Sequence, residues 1–417
     1  MAEPDVIVVG AGAAGIATAI FTRRLAPELT VHVLDGAKKP GAKILVSGGA
    51  RCNVTNARVT EQDFWGGKRT VIRRVLQALP VADTIAFFDD IGVSLHEEER
   101  GKLFPDTNRA RDVLEALMRE LHRSGAVMMA ATRVNAIERV GDRFQIETSG
   151  GPLHARTVVL ATGGQSLPKT GSDGAGYEFA RRLGHTVVPP VPGLAPLVLA
   201  GGPGAIHTDL TGVSHDADIA IWIDGAVALR LTGSLLWTHF GISGPVVLDA
   251  SRHWLRAKHE GRDIRLTARF CPGEPFEQID RRLAALASAR PTSSVATALS
   301  SIVPASAALV LLDQLHIAAD GPLAHFSRAD RRRLTHALAE WPLDVVDSRG
   351  YNYAEVTAGG VRLDEIDPAT MESRTCAGLF LVGEILDVDG RIGGFNFQWA
   401  WSSARSAARG LAREGRW

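Results

Sequence analysis

The sequence predicts an α/β fold in which a parallel-sheet domain is split in two by an antiparallel β insertion and a helical insertion. Three observations lead there: a glycine-rich turn joins an apolar run to a helix at the start, a proline cluster at 189–196 changes the texture, and a buried-strand pattern returns near residue 380. At 417 residues the chain exceeds the ~250–300 at which a single core usually stops growing, so large insertions are expected.

Val6-Ile7-Val8-Val9 is a continuous apolar run ending in glycine, the pattern of a strand covered on both faces. An alanine-rich helix over 13–25 and a strand over 30–34, ending at Asp35, complete a strand–helix–strand unit. Helical stretches over 71–79 and 81–90 follow, and Asn108 reads as the N-cap of a helix that runs to Ser124 before Gly125. Residues 131–148 alternate as a hairpin about Gly141-Asp142, and 157–160 is a buried strand ending in Ala161-Thr162-Gly163-Gly164. Pro189, Pro190, Pro192 and Pro196 cannot sit in central strands or helix interiors, so the first part of the split domain closes at 190.

Beyond the prolines, strands over 219–222 and 226–231 flank Asp224-Gly225 and another covers 264–270, a β-rich insertion over 191–273. Residues 274–342 read as helical, with Ser327 and Asp330 as a capping pair. Over 343–417 the first texture returns, with Leu379-Phe380-Leu381-Val382 as a buried strand and a small-residue helix over 397–411.

Lysine plus arginine number 46, as do aspartate plus glutamate, and no long like-charge run stands out. A nucleic-acid partner is therefore not expected, and a small-molecule substrate is. Cys52, Cys271 and Cys376 are too sparse for a disulfide scaffold and too far apart for a zinc site, so no metal and a reducing cytoplasm are expected. No apolar run reaches the ~18 residues of a membrane helix, and the start lacks the basic flank and apolar core of a signal peptide. Nothing in the sequence sets the oligomeric state.

Gly10-Ala11-Gly12-Ala13-Ala14-Gly15 follows a strand and opens a helix, with Asp35 twenty positions after Gly15. Gly10 makes the tight turn, Gly12 leaves bare backbone for a pyrophosphate, and Gly15 lets helix and strand approach; the helix amides at Ala13 and Ala14 face the phosphates and Asp35 reaches a ribose. FAD and NAD both satisfy that unit. The C-terminal part decides between them: after 379–382 come Gly383, Glu384 and Asp387, then Gly390, Gly393, Gly394 and Asn396 before the last helix. A carboxylate suits a ribityl chain, and a glycine-rich helix start presents amides to the flavin edge where reduction places negative charge, so non-covalent FAD is expected.

Residues 43–56 place Lys43, Ser47, Gly48, Arg51, Asn53 and Asn56 in one segment, where Lys43 or Arg51 would offset phosphate charge and the amides would bond the flavin. An exposed polar loop explains the same residues. Cys52 has no cysteine near it in sequence, which disfavours a dithiol mechanism. In the insertion, Trp237 and His239 lie in a run of aromatic and small residues to Pro245; they are candidate substrate contacts, with His239 a candidate acid or base, against the alternative of a structural histidine.

Residues 10–15, 43–56, Phe104-Pro105, 161–164, 238–245, 357–361, Thr370-Met371-Glu372-Ser373 and 383–396 resemble, in order, the bacterial flavoprotein family of BaiN-like and aminoacetone oxidase-like proteins. The run Ser-Gly-Gly-x-Arg-Cys-Asn-Val-Thr-Asn and the late Gly-Glu-x-x-Asp with Gly-Gly-Phe-Asn are its most specific parts. The resemblance implies FAD on a split Rossmann-like domain, interrupted by a barrel-like and a helical insertion. It places Gly10, Gly12, Gly15, Asp35, Ser47, Gly48, Arg51, Asn53, Ala161, Thr162, Gly163, Glu384, Asp387, Gly394 and Asn396 around FAD, and Val134 near adenine. Ala50 departs from an expected glycine and Trp237 from an expected phenylalanine.

The expected activity is therefore an FAD-dependent oxidoreductase passing hydride between a small organic substrate and flavin N5. The resemblance leaves open oxidation of an amine or amino-ketone by oxygen and reduction of a carbon–carbon double bond by NAD(P)H, which would bind transiently because no second nucleotide fingerprint is present. A redox sensor without turnover would need an exposed partner feature, and an RNA-modifying flavoprotein a basic face. Neither is evident in the sequence.

Overall fold

The structure is a computed structural model that describes residues 3–202 and 205–414. It contains two compact units, Met1–Pro190 with Glu355–Trp417, and Val191–Ala354.

The core of the first unit is a parallel sheet in the order Leu379–Leu381, Thr157–Leu160, Val6–Val9, Val31–Leu34, Val127–Met129. Val8 pairs with Val159 on one side and Val33 on the other, and all three are fully buried. Covered on both faces, such strands keep no polar alternation, which is why their runs are continuously apolar. Helix Ala13–Leu25 packs against helix Phe395–Glu414, and alanines of both, including Ala17, Ala19, Ala404 and Ala407, are fully buried. The two ends of the chain thus share one core.

A three-stranded antiparallel sheet, Val134–Val140, Arg143–Thr148 and Gly151–Ala155, belongs to the same unit. Its third strand turns back directly on the second, with Gly151 paired to Thr148 and Pro152 to Glu147. Helix Ala110–Arg123 starts one residue later than the Asn108 cap would place it, with Arg109 at the N-cap. Asn108 instead adopts φ 53°, a left-handed conformation that asparagine tolerates better than most residues.

In the second unit, described residues form an antiparallel sheet in the order Trp341–Leu343, Ile264–Arg269, Ser214–Ile223, Ala226–Thr238, Gly241–Ser243, Leu197–Leu199, Val345–Ser348. Helix Pro245–His259 packs on it, and Ser327 Oγ caps helix Arg328–Ala339 by accepting from Asp330 N at 3.0 Å. Val345–Ser348 pairs with Leu197–Leu199, which keeps residues 343–354 in this unit, whereas the change of texture in the sequence places the boundary at 342.

Candidate functional site

Parallel strands end on the same edge of a sheet, so residues distant in sequence meet there. Across the first unit's sheet that edge carries, in order, Gly383-Glu384, Ala161-Thr162-Gly163, Gly10, Asp35 and the segment 130–133.

The three fingerprint glycines have three different causes. Gly10 has φ +105°, and a Cβ there would lie 2.5 Å from Ala161 O. At Gly15 a Cβ would lie 1.9 Å from Gly10 O, so helix and turn could not approach as they do. Gly12 has φ −84°, open to any residue, and a Cβ there meets nothing within 4 Å. Neither backbone conformation nor packing asks for glycine at 12; bare backbone at the N-cap of helix Ala13–Leu25, beside its free amides, is what a pyrophosphate requires. The residues present fit FAD at this point.

The neighbours extend the cradle. Asp35 Oδ2 accepts from Ala11 N and Oδ1 from Ala37 N, each at 2.8 Å, tying the second strand's end to the glycine turn. Thr132 N donates to Asp35 O at 2.8 Å, which sets Val134, the first residue of its strand, close after Asp35. Gly383 (φ +74°) leaves room for Ala14, whose Cβ would stand 2.8 Å from an added Cβ. Gly163 (φ +71°) makes room in the same way for Ser172, and the Thr162 hydroxyl is buried without a hydrogen bond.

Lys43 and Glu384, 341 positions apart, form an ion pair at 2.6 Å. Lys43 Nζ also donates to Ser166 Oγ at 2.5 Å, while Glu384 Oε1 accepts from Ser166 Oγ and from Thr357 N, both at 3.0 Å. Thr357 Oγ1 in turn accepts from Gln165 N and Ser166 N. From the sequence, Lys43 is expected at a phosphate and Glu384 at the ribityl chain, while Ser166 and Gln165 carry no signal of their own and Thr357 lies in a recognised motif without an assigned role.

Residues 42–50 are a short helix that breaks at Ser47 (ψ 149°), after which Gly48, Gly49, Ala50 and Cys52 all have positive φ. Ala50 at φ 65° occupies a conformation that costs an L-residue about 1–2 kcal/mol, which accounts for the glycine expected there. Ser47 Oγ donates to Ile44 O at 2.7 Å, and its carbonyl accepts from Cys52 N. Arg51 lies 4.0 Å over the Phe104 ring and pairs with Glu98 at 2.6 Å. Cys52 is fully buried, and burial pushes its thiol up to about 12, unsuited to nucleophilic chemistry near neutrality. Asn53 is 8% exposed and its Oδ1 accepts no hydrogen bond, an unmet acceptor that an N–H of a flavin ring would satisfy.

This segment meets the C-terminal loop within the unit. Asn56 Nδ2 donates to Gly393 O at 3.1 Å, and a Cβ on Gly394 would lie 2.4 Å from Thr55 O. Asn396 closes the loop by exchanging two 2.8 Å hydrogen bonds with the Gly390 backbone. Asp387 N donates to Val361 O at 2.8 Å, and its carbonyl accepts from Gly67 N.

In the second unit, Trp237 is fully buried, with its indole N–H on His215 Nε2 at 3.1 Å and its ring near Phe270. That is the environment of a core residue and gives the indole no surface for a substrate. His239 is exposed, two residues on, edge-to-face with Phe240. Among the described residues, no group of histidine, cysteine, aspartate or glutamate could hold a metal ion, and no helix is long and apolar enough to cross a membrane.

The HI0933-like protein Rossmann domain matches residues 4–410. A 3-dehydro-bile acid delta(4,6)-reductase of Clostridium scindens is 34% identical, covering 97% of this chain and 98% of its own. Proteins named ribosomal RNA dihydrouridine synthase from Haemophilus influenzae and Escherichia coli are each 32% identical, covering 98% of both chains.

Proposed function

The chain belongs to the HI0933-like Rossmann family and is an FAD-dependent oxidoreductase, and from that premise we propose that it reduces a carbon–carbon double bond conjugated to a carbonyl in a small organic substrate. A nicotinamide nucleotide serves as the electron donor. The observation that supports a bound dinucleotide is Gly12, a glycine with ordinary φ and open space at a helix N-terminus. The direction of the reaction is supported by the relatives' names: a bile-acid delta(4,6)-reductase and a dihydrouridine synthase both saturate a double bond in conjugation with a carbonyl.

In this reading the residues from Gly10 to Gly15 hold the pyrophosphate through helix amides, Asp35 and the Val134 backbone hold the adenosine, and Glu384 with Lys43 takes the ribityl hydroxyls. Asn53 and the loop closed by Asn396 meet the flavin edge. Bound FAD supplies hydride transfer at N5. Because RNA carries the double bond in two of the relatives' names, charge is the relevant discriminator. Equal numbers of basic and acidic residues provide no surplus for a phosphate backbone, which favours a small molecule.

Anaerobic absorbance spectroscopy tests this reading. NADPH or NADH should bleach the yellow protein, and a cyclic enone should restore the colour faster than air does. Bleaching by an amine with rapid recovery in air would make the protein an oxidase, and recovery only with uridine-containing RNA would move the substrate to RNA.

A further inference from the structure

In the second unit, strand Leu197–Leu199 is paired on both edges, with Gly241–Ser243 on one side and Val345–Ser348 on the other, and each neighbour leaves the ladder in a loop. On the first side Thr238 pairs with Gly241 across the turn His239-Phe240, and Phe240 O accepts from Leu199 N at 3.1 Å. On the second, Arg349 N donates to Pro196 O at 2.9 Å, Gly350 N to Ser348 Oγ at 3.2 Å, and Tyr353 N and Ala354 N both to Gly350 O at 3.1 Å. Backbone hydrogen bonds thus fix both loops, and their side chains meet. The Arg349 guanidinium lies 4.5 Å from the centre of the Phe240 ring and 3.7 Å from that of Tyr353, and His239 stands edge-to-face with Phe240 at 5.1 Å.

Other arginines of this unit end on carboxylates: Arg262 on Asp224, Arg282 on Glu274 and Arg331 on Asp280. The Arg349 guanidinium makes no hydrogen bond or ion pair among the described residues; the two rings are what hold it. A ring covers the face of a guanidinium and leaves the N–H donors, which lie in its plane, for an acceptor. Arg349 is half-buried, whereas His239 is exposed and Tyr353 is 52% exposed, an unusual setting for a large aromatic side chain. A flexible cation held in place without a counter-ion is preorganised for an anion, because the ordering that binding would otherwise require has already taken place. The same turn holds a second group that its own chain leaves unmet, Thr238 Oγ1, which is buried without a hydrogen-bond partner.

We propose that Arg349, seated on Phe240 and Tyr353 with His239 beside it, is an oxyanion-binding site that anchors the negative group of a reactant, a carboxylate or a phosphate. The edge of a guanidinium takes either one through a bidentate pair of charge-assisted hydrogen bonds. An ammonium group neither forks nor stacks in this way, so lysine is a poor substitute at such a position. Two reactants carry the required chemistry: an acidic enone its carboxylate, and the nicotinamide dinucleotide its phosphates. That the anion belongs to a reactant rests on the reductive reading above; that an anion binds at Arg349 does not.

Calorimetric binding to the oxidised yellow holoprotein, with no turnover, tests the site. Wild type, Arg349→Gln and Arg349→Lys are titrated with NADP+, with a cyclic enone bearing a carboxylate, and with the methyl ester of that enone. Arg349→Gln should weaken an anionic ligand by about tenfold or more while the ester stays within about twofold, and Arg349→Lys should recover only part of the loss. Loss confined to NADP+ assigns the phosphate, and loss confined to the carboxylated enone assigns the carboxylate. Tyr353→Leu, which removes a ring and no charge, should weaken the same ligand by about threefold. Wild-type protein that binds neither anion, equal affinities in wild type and Arg349→Gln, or a parallel loss for acid and ester would overturn the site. Wild-type protein that binds the anion through Arg349 but is re-oxidised by no enone overturns the reductive reading and leaves the site standing.

Discussion

Each unit carries a glycine-containing run that looks functional in sequence, 10–15 in the first and 237–245 in the second, and the structure explains the two differently. In the second, Gly241 has φ +147° and a Cβ there would lie 2.4 Å from Leu197 O, while at Gly244 it would lie 2.6 Å from Ser234 O. Those glycines exist so that neighbouring strands can approach, and Trp237 fills the core beside them. In the first run Gly10 and Gly15 are explained in the same way, but Gly12 is not. A glycine that the chain's own conformation and packing do not require is the one that points to a ligand.

That contrast can be broken experimentally. The largest effect is expected at Gly12→Leu, which should fold normally yet lose FAD affinity by a factor of a hundred or more, about 3 kcal/mol; the flavin-to-protein absorbance ratio after desalting measures it, and a variant that purifies yellow would erase the distinction. Gly241→Ala should do the reverse, destabilising its unit by about 2 kcal/mol through strain and overpacking while the protein stays yellow. Denaturant unfolding followed by intrinsic fluorescence and by flavin release separates these two outcomes.

His239 is the residue of the second run that packing leaves unexplained. Replacing it by alanine should leave the melting temperature and the bound flavin unchanged and slow substrate-driven reduction or recovery; equal single-turnover rates would give the ring a surface role. The smallest effect is expected at Ala50→Gly, where relief of the left-handed strain is partly offset by glycine's extra freedom in the unfolded chain. A net gain of about 0.5 kcal/mol is expected, read as a small rise in melting temperature.

Short-range features were the legible ones. The strand Val6–Val9, the helix Ala13–Leu25 and the strand Thr157–Leu160 stand where apolar continuity and bounding glycines place them, because those signals act within a few residues. The Lys43, Ser166, Thr357 and Glu384 cluster had no comparable signal. Its members come from four segments whose meeting depends on the order of parallel strands, which local pattern does not encode. The short helix at 42–50 was hidden by its own serine and glycines, whose non-helical angles end it after little more than one turn. Strand Val345–Ser348, short and half polar, was lost in a segment that reads as a return to the first domain.

The central claim is that the carboxyl edge of the first unit's sheet holds FAD without a covalent bond. The most direct test is the absorbance spectrum of the purified protein before and after denaturation, with mass analysis of whatever is released. A yellow protein that releases one intact FAD per chain is expected. A colourless protein that fails to take up added FAD, or a flavin that stays attached to the denatured chain, would contradict it.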